Sequence, residues 1–176
     1  MGGYVETPRF RVLKQTPAFE LRQYEPMVVA ETEVPGGSED SQGFRTLAGY
    51  IFGGNARGQS ISMTAPVAQQ EVAGSDGARV TMSFMMPRAH ALEDLPHPKD
   101  SRVRLKRVDQ GLMAAVVFSG QWNRSDVASR TEALRQGVLD AGMTVVGPPV
   151  FARYDPPWTP PFLRRNEIMV PVAAAR

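Results

Sequence analysis

Short segments in which apolar and polar residues alternate recur along this chain of 176 residues and predict β-strands. They cover residues 19–26, 27–34, 61–68, 80–86, 103–108, 112–118, 150–154 and 167–172. The first and second segments, the third and fourth, and the fifth and sixth are predicted to form hairpins, because turn residues separate the members of each pair. Pro66 cannot donate a ladder hydrogen bond, so the third strand is expected to lie at an edge or to carry a bulge.

Two longer segments show the spacing of amphipathic helices, with apolar residues at i, i+3, i+4 and i+7. The first, residues 38–52, is expected to begin with Ser38 as its N-cap and to stop at Gly53. The second covers residues 125–141. Its predicted inward-facing residues are Ala128, Leu134, Val138 and Leu139. Both helices are expected to lie over a sheet with their apolar sides inward.

The order strand–strand–helix–strand–strand is predicted twice, once in residues 10–87 and once in residues 101–173. Corresponding positions recur at similar offsets; Met27 and Leu112, for example, are 85 residues apart. We therefore predict a single α+β domain made by internal duplication, in which two ββαββ units related by a pseudo-two-fold axis leave a groove between them. An α+β domain with merely regular spacing is the alternative.

The composition is that of an ordinary globular protein, with 42% hydrophobic residues, 22% charged residues and a net charge of +2. Basic residues form no long run, which argues against a nucleic-acid-binding protein. The chain contains no cysteine, so disulfides, thiolate metal sites and cysteine nucleophiles are excluded. The N-terminal sequence lacks the apolar segment of a signal peptide, and no stretch has the length of a membrane span. We expect a cytoplasmic protein without a nucleic-acid, membrane or obligate protein partner.

The common sequence patterns of catalytic and metal sites are missing from this chain. His90 and His97 lie in residues 87–100, a segment predicted to be an extended linker, and both are expected to be solvated. Methionine occurs nine times, and several of these residues fall on predicted strands. They are expected either to fill the core or to form an adaptable apolar surface for a large flat ligand.

Residues 154–166 carry the most informative local pattern, because four prolines fall within this segment. Prolines restrict the backbone, so Trp158 and Phe162 are held in a loop with little entropy left to lose. Arg164 and Arg165 follow directly and are able to pair with carboxylates. The segment predicts either a site for an aromatic ligand that carries carboxylates or a loop that packs Trp158 on its own sheet.

Several sequence elements, taken together, resemble the heme-binding protein/SOUL family. They are Phe19-Glu-Leu-Arg-Gln-Tyr24, Gly43-Phe-Arg-Thr-Leu-Ala-Gly-Tyr-Ile-Phe-Gly-Gly-Asn55, Ile61-Ser-Met-Thr-Ala-Pro-Val67, Tyr154-Asp-Pro-Pro157 and Arg165-Asn-Glu-Ile168. The resemblance runs from Tyr4 to Val172 in the family's order. It implies a distorted antiparallel β-barrel-like sheet flanked by two long helices. It also implies non-covalent binding of heme or metal-free porphyrin, for buffering, transport or delivery.

The resemblance further implies a binding cleft between the first helix and the loop before the last strand. The candidate cofactor-binding residues are Ser41, Phe44, Arg45, Ala48, Gly49, Phe52, Trp158, Thr159, Phe162 and Arg165. In some family members a histidine stands at the position of Gln23, and lysines stand at those of Gly49 and Thr159. No strong iron ligand is therefore implied for this chain. The candidates for pairing with ligand carboxylates are Arg45, Arg57, Arg164 and Arg165.

Two other functions are open at the level of the sequence. An enzyme that acts on the tetrapyrrole, for example by removing its iron, would need a proton donor or acceptor, and Tyr50, Tyr154 and Glu167 are the candidates. A binding domain for cationic aromatic compounds would instead use a buried carboxylate, for which Glu167 is the candidate. The basic isoelectric point, near 9.2, favours anionic ligands.

Overall fold

A computed structural model describes residues 5–36, 41–72, 74–76, 78–156 and 158–174, with the backbone but not the side chain of Ser41. The chain forms two compact units. Unit 1 contains the described residues of Met1–Pro8 and Pro26–Asp109. Unit 2 contains those of Arg9–Glu25 and Gln110–Arg176. Each unit has its own antiparallel strands, its own helix and its own apolar core.

The strands in chain order are β1 Phe10–Gln15, β2 Glu20–Tyr24, β3 Met27–Pro35, β4 Val67–Glu71, β5 Arg79–Met85, β6 Arg104–Val108, β7 Leu112–Phe118, β8 Met143–Val145, β9 Val150–Arg153 and β10 Asn166–Ala174. The helices are α1 Ser41–Ile51 and α2 Arg124–Asp140. Short 3-10 turns occur at Leu92–Asp94 and Pro161–Leu163. All pairs of these strands within the units are antiparallel, which confirms the predicted α+β class.

The sheet of unit 1 has the strand order β4-β5-β3-β6, and α1 contacts β3 and β5. Helix α1 contributes Leu47, Tyr50 and Ile51 to a core in which Met82 and Phe84 are also fully buried. Gly43 allows this close approach, because a Cβ at that position would lie 3.0 Å from Val34 Cγ1. One side of α1 therefore packs in the core, and the other side is available to bind a ligand.

The sheet of unit 2 has the strand order β1-β2-β7-β10-β9, and β8 also pairs with β10. Helix α2 begins at the N-cap Asn123, whose side chain accepts hydrogen bonds from the backbone N–H groups of Ser125 and Asp126. It covers the sheet face that contains Ile168 and Val170. The opposite face of β2 and β10 is polar, and it carries the buried cluster described below.

Two of the three predicted hairpins are wrong. Strand β2 pairs with β1 and β7, whereas β3 pairs with β5 and β6, so β2 and β3 do not form a hairpin. For the same reason β6 and β7 do not form one. The Tyr24 N–H donates to the Gly111 carbonyl, so the bond at the end of β2 goes to a distant segment. The predicted β4–β5 hairpin is confirmed, although Gly77 of its loop lies outside the described residues.

The strand predicted at residues 61–68 is shorter than expected. Strand β4 begins only at Val67, directly after Pro66, which has no N–H to donate. The preceding residues use their hydrogen-bonding groups elsewhere: Ile61 N donates to the Ile51 carbonyl, and the Thr64 hydroxyl donates to the Met85 carbonyl. Pro66 therefore sets the residue at which β4 begins and does not form a bulge within the strand.

The helices also differ from the prediction. They have 11 and 17 residues, so the description of both as long is wrong. The expected N-cap Ser38 lies outside the described residues. In α2 the buried residues are Val127, Thr131, Leu134 and Val138. Ala128 and Leu139 are exposed, because they lie about 100° around the helix from the centre of this buried side. The Thr131 hydroxyl is satisfied within it by donating to the Val127 carbonyl at 2.7 Å.

The internal duplication is not confirmed and stays a prediction, as does the barrel-like closure. The compact units are not the two contiguous predicted halves, because residues 9–25 belong to unit 2. In the part of the chain that the structure describes, no helix is both long and apolar enough to cross a membrane.

Candidate functional site

The outward side of α1 carries five of the predicted site residues. Phe44, Arg45, Ala48, Gly49 and Phe52 recur at three- and four-residue steps and therefore share one side of the helix. We call this surface the α1 strip. Ser41 extends it on the helix backbone, but its side chain lies outside the described residues.

The middle of the α1 strip is flat, and its ends are aromatic. Gly49 is exposed, and a Cβ added to it would meet no atom within 4 Å. Ala48 beside it is small and nearly buried. Phe52 is 67% exposed, and the half-exposed ring of Phe44 has its edge against Phe84, with ring centroids 5.7 Å apart. The strip therefore offers a flat apolar surface bounded by two aromatic side chains.

A buried asparagine holds the loop that follows the α1 strip. Asn55 Nδ2 donates to the carbonyls of Tyr50 and Gln59, at 3.2 and 2.7 Å. Its Oδ1 accepts from the backbone N–H groups of Arg57 and Gln59. All four hydrogen-bonding capacities of this amide are therefore used between the last turn of α1 and the loop, which holds the loop against the end of the helix at Ile51. Asn55 belongs to one of the family elements in the sequence, but its role in the loop was not predicted.

The other predicted site residues belong to unit 2 and lie in residues 154–165, which we call the proline loop. Trp158 is 82% exposed and Phe162 is 75% exposed, so the alternative in which Trp158 packs on its own sheet is wrong. Thr159 is half-buried, and its carbonyl accepts from Arg164 Nε at 2.8 Å. The predicted site residues of the helix therefore lie in unit 1, and those of the loop lie in unit 2.

Arg165 joins the proline loop to a buried ion cluster in unit 2. Its guanidinium lies over the ring of Tyr154, 4.9 Å from the centroid, and its Nη2 is 3.3 Å from Glu167 Oε1. Arg22 Nη1 donates to the same Glu167 oxygen at 2.5 Å and to the Tyr24 hydroxyl at 2.8 Å. The side chains of Arg22 and Glu167 are both almost completely buried. Glu167 is therefore a buried carboxylate, but it is already paired with two arginines.

The sequence pattern did not identify Arg22 as the partner of Glu167. Alternation along β2 puts Glu20, Arg22 and Tyr24 on one face, and Glu20 Oε1 also accepts from Arg22 Nε at 2.8 Å. The two charged residues and the tyrosine on one face of β2 are a signal that the sequence shows. The sequence does not show that Arg22 pairs with Glu167, which is 145 positions away.

The three groups considered for proton transfer, Tyr50, Tyr154 and Glu167, are at least partly buried. The Tyr50 hydroxyl donates to the Pro96 carbonyl at 2.8 Å. Burial and the nearby Glu167 charge raise the pKa of Tyr154 far above its usual range, so this phenol keeps its proton. Glu167 Oε1 is paired as described above, whereas its buried Oε2 accepts no hydrogen bond from the described residues. The enzyme and the cationic-ligand alternatives stay hypotheses from the sequence.

The two histidines both lie in unit 1. His97 is exposed and His90 is half-buried. Within the described ranges no three His, Asp or Glu side chains are grouped to hold a metal ion. The buried methionines Met82, Met85, Met86 and Met169 confirm the prediction that methionine fills the core, whereas Met63 is partly exposed.

The tyrosines give a prediction about alkaline pH. Burial raises the pKa of Tyr24 to about 12, and it also raises the pKa of Tyr50 and of Tyr154. Because the folded-state pKa lies above the unfolded value of about 10, folding favours the protonated phenols. The contribution of these protonated tyrosines to the free energy of unfolding is expected to be fully present below pH 10 and to decrease as the pH rises towards 12. Tyrosinate absorbance should show a delayed titration relative to the denatured protein, and Tyr24→Phe should reduce the delay; titration of every tyrosine at pH 10 in the folded state would contradict this.

Comparison with known proteins gives three findings. The family model for the SOUL heme-binding protein matches residues 5–171, which confirms the resemblance seen in the motifs. Heme-binding protein 2 of Homo sapiens is 30% identical over 148 residues, covering 75% of this chain and 71% of that protein. Heme-binding protein 1 of Mus musculus is 27% identical over 177 residues, covering 94% of this chain and 92% of that protein.

A solved structure shows the same fold. An uncharacterized conserved protein from Listeria innocua aligns with a TM-score of 0.66 and 15% identity, covering 88% of this chain and 92% of that one. At this identity the likeness concerns the fold alone.

Proposed function

This chain belongs to the SOUL heme-binding protein family, and we propose that it binds heme or a related tetrapyrrole on the α1 strip. The observation that carries this proposal is the open surface over Gly49, flanked by the exposed rings of Phe44 and Phe52. A planar macrocycle needs a flat apolar surface of this kind, and aromatic edges add favourable ring contacts. We propose buffering, transport or delivery of the tetrapyrrole as the role of this binding.

Binding is proposed to be non-covalent. The chain has no cysteine to which a vinyl group of heme could be attached. Affinity would then come from burying apolar macrocycle area, at about 25 cal/mol per Å², less the cost of association. This balance gives an expected binding free energy on the order of −8 kcal/mol, which corresponds to a micromolar dissociation constant.

Polar contacts are proposed to orient the ligand. Arg45 is exposed on the α1 strip and is positioned to pair with a tetrapyrrole carboxylate. Trp158, Thr159, Phe162 and Arg165 of the proline loop are proposed as further contacts, and the cleft between helix and loop remains a prediction. Gln23, on β2, offers no strong ligand to iron.

A side-by-side absorbance titration tests the proposal. Heme and metal-free protoporphyrin are added to the intact protein, and the Soret band and tryptophan fluorescence are recorded. We expect a Soret shift with heme and affinities for the two compounds within about threefold of each other, because iron has no strong ligand here. A Soret band unchanged from the protein-free control at tens of micromolar ligand would refute tetrapyrrole binding. Much tighter binding of heme would refute the absence of an iron ligand.

A further inference from the structure

The proline loop projects large apolar side chains into water. Trp158, Phe162 and Leu163 are 82%, 75% and 62% exposed, and all three fall within six residues. Single exposed apolar residues are common on soluble proteins, but a contiguous group of this size marks an interaction surface. Tetrapyrrole binding does not require Leu163, so part of this surface is unexplained by the proposed function.

Backbone hydrogen bonds hold the exposed group in place. Gly120 N donates to the Pro161 carbonyl at 2.9 Å, which ties the 3-10 turn to the segment that precedes α2. Thr159 N donates to the Pro156 carbonyl, and Leu163 N donates to the Pro160 carbonyl. These bonds hold residues 158–165 in place before any partner binds, so insertion of their side chains costs little further conformational entropy.

The surroundings of the exposed group carry more positive than negative charge. The Gly120–Pro161 bond brings Gly120 next to the 3-10 turn. Residues 119–124 and 154–165 contain Arg124, Arg164 and Arg165 and one carboxylate, Asp155, which accepts from the Arg165 backbone N–H, and the Arg165 side chain is paired with Glu167. Aromatic and leucine side chains beside arginines are the composition that binds at the boundary between lipid headgroups and acyl chains.

We propose that the proline loop docks on a bilayer surface that contains anionic lipid. Trp158, Phe162 and Leu163 enter the headgroup region, and the arginines contact lipid phosphates. This revises the expectation from sequence that no membrane takes part. The interaction is peripheral and uses a loop, and it does not depend on tetrapyrrole binding.

Vesicle co-sedimentation of the intact, ligand-free protein tests the proposal. Vesicles of phosphatidylcholine with about one quarter phosphatidylglycerol are compared with vesicles of phosphatidylcholine alone. We expect binding to the mixed vesicles to be about tenfold tighter and to weaken with added salt. The double substitution Phe162→Ser with Leu163→Ser is expected to weaken it by about tenfold, because it removes apolar area that enters the membrane.

Leu139→Ser is the matched control. Leu139 is 57% exposed near the end of α2, so its exposure resembles that of Leu163 but its position lies outside the proline loop. It should leave vesicle binding unchanged, and all variants should keep the thermal midpoint of the wild type. No co-sedimentation with mixed vesicles, or an equal loss in the Leu139→Ser control, would overturn the proposal. Because the vesicles contain no tetrapyrrole, this outcome is independent of the heme titration.

Discussion

Replacing Arg22 with methionine is expected to lower the free energy of unfolding by about 4 kcal/mol. Glu167 would keep Arg165 at 3.3 Å but lose the shorter, fully buried bond from Arg22. The Tyr24 hydroxyl would also lose a hydrogen bond that it accepts from Arg22. Breaking a buried ion pair is costly because the remaining charge is desolvated without compensation. Urea unfolding followed by circular dichroism measures the loss.

Two further variants test whether the loss of stability depends on the burial of the Arg22–Glu167 ion pair. Arg79→Met breaks an exposed pair with Glu33 at 2.7 Å in unit 1 and is expected to change stability much less than Arg22→Met, because water already screens both charges. The double substitution of Arg22 and Glu167 by methionine is expected to recover most of the loss, since neither charge then remains buried alone. Equal losses for Arg22→Met and Arg79→Met would show that Glu167 does not depend on Arg22.

Replacing Gly49 with leucine is expected to weaken heme binding by about 100-fold without destabilising the protein, which corresponds to about 2.7 kcal/mol. The new side chain would stand in open space, so the fold has room for it. It would occupy the flat middle of the α1 strip and keep a macrocycle away from Ala48 and Phe52. Leucine also has a better helix propensity than glycine, by somewhat less than about 1 kcal/mol, so the thermal midpoint should rise. The Soret titration and thermal unfolding measure both effects.

Ala133→Leu is the matched control for the blocked strip. Ala133 is exposed on α2, so the substitution adds a leucine to an exposed helix position outside the α1 strip. Leucine at this position should leave heme affinity within about twofold of the wild type. Wild-type affinity in Gly49→Leu would mean that the tetrapyrrole does not use the α1 strip. A low thermal midpoint in Gly49→Leu would instead contradict the open space over Gly49.

Local pattern was sufficient for much of the fold. The apolar spacing of residues 125–141 predicted α2 to within one residue, because a helix makes its hydrogen bonds within one segment. The alternation in residues 80–86 predicted β5 in the same way. The pairing of β2 with β7 and of β3 with β6 was not predictable from such patterns. Alternation shows which face of a strand is buried but carries no information about its neighbour.

The residue types of the candidate site were predictable from the sequence, but their arrangement in space was not. The spacing of Phe44, Ala48 and Phe52 predicted a shared apolar side of the helix, and the structure buries Ala48 but leaves Phe44 and Phe52 exposed. The aromatic residues of the proline loop were also identified, but two environments had been left open for Trp158. Only the folded chain shows that this side chain points into water.

By itself the sequence determined the α+β class, both helices, most strands and the family. Each of these depends on the spacing of nearby residues or on contiguous motifs. Tertiary structure alone decided which strands pair, that Glu167 is neutralised by Arg22, and that Trp158 and Phe162 remain exposed. The physical reason is that burial and ion pairing depend on segments far apart in the chain. Their proximity is set by the summed packing of the whole unit and not by any local signal.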